Sequence, residues 1–155
     1  MSISQAQLVQ ELMDVLDETF ESHHGIYLNK NTSLFETLEQ ITHEQASRPI
    51  GGKCATLAAQ VAHITFYLEV LERYFMANDN SPADWEEIWR TVKEVTPEQW
   101  HDLKVKLEQT YRRIIAELRD IETWKSDPHL ASALAICVHT AYHLGEIRQA
   151  LCTLD

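Results

Sequence analysis

Apolar residues recur at spacings of three and four along most of this chain, and no stretch alternates strictly between apolar and polar. Leu8, Leu12, Val15, Leu16, Thr19 and Phe20 line one side of a first long helix predicted over about 4–22, with Glu11, Asp14, Asp17, Glu18 and Glu21 on the other. "HHGIYLNKNT" breaks this period with Gly25, Asn29 and Asn31, and "SLFETLEQI" follows as a short helix with Ser33 as N-cap. After the loop "SRPIGG", a second long helix is expected from about Cys54 to Ala77, stopped by "NDNSP". Ser81 and Pro82 read as N-cap and first residue of another short helix, "PADWEEIWR".

"TPEQ" at 96–99 is a strong boundary: Thr96 caps, Pro97 suits the first helical position and Gln99 completes a capping box. The third long helix that it opens carries a seam of Trp100, Leu103, Leu107, Tyr111, Ile114, Leu118 and Ile121. Asp127 and Pro128 start a last helix reaching about Cys152. With no strands and no repeats, the pattern predicts an all-α, single-domain four-helix bundle over 1–155 with extra short helices. The connection 78–96 is too long for a hairpin turn and suits a crossover that lets the second and third long helices run in the same direction.

Composition narrows the partners. The formal charge of −11 sets the surface against phosphate backbones and anionic headgroups, so neither nucleic acid nor membrane is expected. The N-terminus lacks the basic start and apolar core of a signal peptide, and no apolar run approaches a membrane span. Cys54, Cys137 and Cys152 are odd in number and show no CxxC spacing, which fits a reducing cytoplasm.

In "VHTAYHLGEIRQAL", His139 and His143 are four apart and differ by only ~40° around a helix. Ser132, Ile136, Ile147 and Ala150 share their face, which therefore points inward. On the second long helix His63 aligns with Thr56, Ala59, Tyr67, Val70 and Tyr74. If these two helices are antiparallel, His63 and His143 lie at one level, ~13 Å from the bundle end at 1.5 Å per residue, with His139 a turn deeper. The residues then leave two readings, three hydrogen-bonded core histidines or one metal site. A divalent cation accepts a lone pair from each ring, and three histidines with an open position are the ligand pattern of catalytic zinc, while imidazole also suits nickel.

"ATLAAQVAHI" and "HTAYHLGEIRQAL" together resemble the DinB-like (YfiT-like) family of metal-binding helical bundles, which has one histidine on helix 2 and a His-x3-His pair on helix 4. The resemblance implies His63, His139 and His143 as ligands of one divalent ion, zinc or nickel. It further implies a cytoplasmic metal-dependent thiol S-transferase, or a thiol-dependent isomerase, that activates a low-molecular-weight thiol such as bacillithiol or mycothiol against a small electrophile. Glu146 stands where the family often has Gln, and "HHGIYLNKNT" interrupts a usually more continuous first helix. The alternative is a non-catalytic small-molecule-binding or stress-response bundle with a structural metal.

The remaining histidines read as surface residues: His23 and His24 at the end of the first helix, with His23 also placed as a fourth ligand or pocket wall, and His43, His101 and His129 in solvent. Glu146, one turn beyond His143, is read first as a surface glutamate paired with Arg148 or a neighbouring helix, and second as an acceptor from a ligand's far nitrogen. Arg148 is expected in an internal ion pair. Trp85, Trp89, Trp100 and Trp124 have two readings, pocket wall or, for most of them, packing at the bundle ends, and no cysteine shares the histidine face. Leu134, Val138 and Ala141 lie opposite that face, so the last helix needs cover on two sides, from the short segments or from a second copy in a homodimer.

Overall fold

The computed structural model describes residues 2–51, 54–120, 124 and 127–154. Among them the chain forms seven helices and no strand: α1 Gln5–Phe20, α2 Leu34–Glu39, α3 His43–Ala46, α4 Leu57–Met76, α5 Glu87–Thr91, α6 Pro97–Asp120 and α7 Asp127–Leu151. The four long ones are α1, α4, α6 and α7, as the apolar period predicts. Side-chain contacts give their directions. Gln60 meets Glu146 and Phe75 meets His129, so α4 and α7 are antiparallel. Lys106 pairs with Glu69 and Arg113 with Glu72, so α4 and α6 run the same way and the connection between them is a crossover. Glu21 reaches Arg112 while Val9 shares a cavity with Leu118, which sets α1 antiparallel to α6.

The core is the predicted seam and its partners. Leu107, Tyr111, Ile114 and Leu118 of α6 are buried together with Leu16 and Phe20 of α1 and Ile136 and Ile147 of α7. Phe20 stacks on Tyr111 with ring centroids 4.2 Å apart. Thr96 and Gln99 form the expected capping box. Ile121, the last seam position, lies outside the described residues, as does Gly52 of the "SRPIGG" loop.

Several boundaries and faces differ from the sequence reading, each for a local reason. The helix expected from Cys54 starts at Leu57, because Thr56 turns its hydroxyl onto the Ala59 N–H and becomes the N-cap. Cys54 is thus an exposed loop residue. At its far end α4 closes through Asn78 in the left-handed region, φ 51°. Ser81 and Pro82 start no helix: Asp79 and Asp84 accept the backbone N–H groups of Ser81 and Glu86, and these local turns delay α5 to Glu87. A capping box of Thr42 with Gln45, like those at the starts of α1 and α2, opens the unpredicted α3.

On α1, Leu8 is exposed and Glu18 fully buried, the reverse of their expected sides. The helix also stops at Phe20, short of Ser22. Past that end the chain folds back over Glu18, whose carboxylate accepts backbone N–H groups from His24, Ile26, Tyr27 and Leu28 at 2.6–2.9 Å. Burial alone would raise this carboxyl, but the four amides overcome it and hold it down at about 2. One buried side chain therefore organises the segment that interrupts the first helix.

Leu134, Val138 and Tyr142 form an uncharged stripe on α7 with 47%, 69% and 62% exposure, so neither short segment covers this face. No helix among the described residues is long and apolar enough to cross a membrane.

Candidate metal centre

α4 and α7 pack along one seam, and His63, His139 and His143 converge in it. One ring nitrogen from each lies within 4.8 Å of the others. The ring centroids are 5.2 Å apart for His63–His139, 4.9 Å for His63–His143 and 4.5 Å for His139–His143. His63 and His143 are buried and His139 half-buried. The antiparallel pairing that the depth argument needs is present, although the helix ends differ from those expected. His63 sits six residues into α4 and His143 eight before the end of α7, a mismatch of ~3 Å along the axis, which the side chains span.

Among the described residues this is the one group of three such side chains able to hold a metal ion. The donors fit. Nδ1 of His63 and Nε2 of His139 are buried with no hydrogen-bond partner, a costly state for a polar atom. His143 is different, because its Nδ1 lies 2.5 Å from Gln60 Oε1 and 2.9 Å from Glu146 Oε2. Two acceptors at one nitrogen require that it carry the proton, which leaves the lone pair on Nε2. Zinc–imidazole bonds of about 2.0–2.1 Å on a tetrahedron set the nitrogens ~3.3 Å apart, so the rings need close by at most ~1.5 Å to take the ion.

Aromatic rings surround the triad. Tyr67 stacks on His139 at 3.6 Å, Trp89 of α5 leans on His63 at 4.4 Å, and Tyr142 meets His143 edge-on at 5.1 Å. Trp85 packs on Phe66 and Tyr67, so the crossover is draped over this end of the seam by two tryptophans. Trp100 is core packing, its Nε1 donating to the Ile41 carbonyl.

Other sequence candidates fall elsewhere. His23 lies in the turn after α1 beside Gly25, outside the triad. His24 pairs with Asp17, which raises its ring above the ordinary value. His101 is exposed as expected, whereas His43 and His129 are half-buried, His43 beside Glu44 and His129 edge-on to Phe75. Glu146 pairs with His143 and Gln60 rather than with Arg148, and the Arg148 guanidinium donates to the Thr37 hydroxyl at 3.2 Å instead of entering the expected ion pair. Cys137 is buried 3.8 Å from Thr19 Oγ1 and Cys152 is exposed, so no cysteine joins the triad. Gln60 carried no signal, since a glutamine on a helix is by default a surface residue.

Burial and the neighbouring rings push His63 and His139 down to about 4, and burial lowers His143 against the pull of Glu146. His63 and His139, already neutral near pH 5, release a cation only in stronger acid than the ordinary histidine value of ~6.5 implies. The same shifts make the metal-free chain acid-labile. Because the folded values lie below the unfolded one, the unfolded state binds protons first, so stability is full above ~6.5 and falls as pH drops toward 4. Chelator-treated protein should lose stability over that window by up to ~1.4 kcal/mol per pH unit for each ring, read by urea unfolding at pH 7 and pH 5. A midpoint that does not move between those pH values would show that the rings are not held neutral.

No protein-family model, curated protein or solved structure matches this chain, so the centre stands on its own geometry.

Proposed function

We propose that this protein is a DinB-like bundle that holds one divalent cation, zinc or nickel, on His63, His139 and His143, and uses it to activate a low-molecular-weight thiol toward a small electrophile. The observation that carries this reading is the convergence of three imidazoles, two with buried and unpartnered nitrogens. When bound, the ion supplies Lewis acidity, which lowers the pKa of a thiol that joins it. The chain's own residues do the rest. Three neutral ligands leave the cation's double charge uncompensated, which favours an anionic fourth partner. No protein thiol reaches the triad, so sulfur must come from outside. Trp89 and Tyr67 pack on two of the rings and screen them from water.

The second reading is a structural metal in a non-catalytic bundle, and the burial of His63 and His143, 8% and 5% exposed, favours it. The two separate in one experiment. Cobalt-substituted protein should change its d–d spectrum on addition of glutathione, coenzyme A, bacillithiol or mycothiol, and an electrophile should then be consumed. Silence with all four thiols would leave the structural reading in place.

A further inference from the structure

The three rings are not held alike. His63 Nδ1 and His139 Nε2 have no partner, whereas His143 Nδ1 has two. Those two partners also bind each other, Gln60 Nε2 donating to Glu146 Oε2 at 3.1 Å. The result is a closed circuit: imidazole N–H to the amide oxygen and carboxylate, amide N–H to the same carboxylate. Turning the Gln60 amide over would set its oxygen against the carboxylate at that distance, so the circuit admits one orientation. The pair is built from both helices of the seam. Gln60 is in the first turn of α4, three residues before His63, and Glu146 is one turn beyond His143 on α7.

We infer that Gln60 and Glu146 are positioning residues that lock His143 in its Nδ1–H form, so that one ligand is pre-set and the other two close onto the ion. The assignment of an ion to His143 rests on the function proposed above; the lock itself does not. A carboxylate accepts from an imidazole N–H about twice as strongly as a neutral amide and makes the far nitrogen a better donor. This gives a physical role to the glutamate at 146 where the resemblance leads one to expect glutamine. His63 and His139, whose buried nitrogens have no partner, would complete the ligand set around a bound ion.

The test compares wild type with Glu146→Gln, Glu146→Ala and Gln60→Ala. The His143 tautomer is read first, by nitrogen–proton NMR of metal-free protein at pH 8, where the ring is neutral. Wild type should show the proton on Nδ1. Glu146→Ala should move a substantial fraction of it to Nε2, and Glu146→Gln, which keeps an acceptor oxygen, should largely preserve Nδ1–H. Cobalt affinity is read second, with an expected loss of ~10–100-fold for Glu146→Ala and less than ~10-fold for Glu146→Gln. Thermal melting accompanies each variant, and Glu146→Gln keeps the comparison open should the alanine form fail to fold. An unchanged tautomer in both Glu146→Ala and Gln60→Ala would overturn the lock, whatever the metal result. Wild type that binds no cobalt would instead overturn the metal reading, while the tautomer data would still decide the lock.

Discussion

His63→Ala should strip the protein of its metal. The two remaining ligands both lie on α7, four residues apart, and without the ring from α4 they offer a cation half a shell on a single helix. Loss of an outer-shell partner alone typically costs 10–100-fold in affinity, so loss of a ligand should exceed ~100-fold. Metal analysis of protein purified without a polyhistidine tag checks this, with about one ion per chain expected in wild type and almost none in the variant. Stability without metal should respond quite differently. Removing a buried, unpartnered Nδ1 relieves a penalty of ~1–3 kcal/mol, while losing the Trp89 contact costs ~0.5–1.5 kcal/mol and a cavity. These offset, so the metal-free variant should melt close to metal-free wild type. Full occupancy in His63→Ala would sink the site.

Glu18→Ala should be strongly destabilising although the residue lies outside the centre. Four backbone N–H groups converge on this carboxylate, and removing it leaves them without their buried acceptor at the turn that returns the chain from α1. At ~1–3 kcal/mol per unsatisfied buried group, and with water reaching some of them, the net loss should be ~3–4 kcal/mol, or roughly 10 °C in melting temperature for a chain of this size. Glu18→Gln should fall between, since one oxygen still accepts but the amide N–H groups face other donors. The pH dependence gives a second signature. Folding lowers this carboxyl from 4.5 to about 2, so its stabilisation is complete above 4.5 and drains away as pH falls toward 2. That window lies below the one set by the histidines, and it should disappear in the alanine variant. A melting temperature within ~2 °C of wild type would refute this role.

What the sequence revealed follows from which interactions leave a periodic trace. The α6 seam and the Thr96 box are local and repeat with the helix, so they could be read directly. His139 and His143 needed only the helical angle. His63 joins them only through the antiparallel pairing of α4 and α7, which no periodicity encodes, and it does so although α4 begins at Leu57 and not at Cys54. Thr42 and Gln45 repeat the logic of Thr96 and Gln99, so the start of α3 is legible in its capping box, while its four residues are too short to show a helical period. Glu18 was not legible. It sits among residues of the polar face, and its burial depends on backbone amides of a loop whose path no pattern encodes. Gln60 was hidden for a related reason: its role arises from a neighbouring helix, not from its own.

Trp89 leaning on His63 also gives the molecule its own optical reporter. It is the one tryptophan among the described residues whose ring meets a triad histidine; Trp85 reaches only Phe66 and Tyr67, and Trp100 is committed to Ile41. A cation that draws the imidazoles together must move the ring on which this indole rests, so indole emission will track occupancy in unlabelled protein. A Trp89→Phe control isolates that signal from the other indoles, and its time course after rapid mixing measures how quickly the crossover admits an ion.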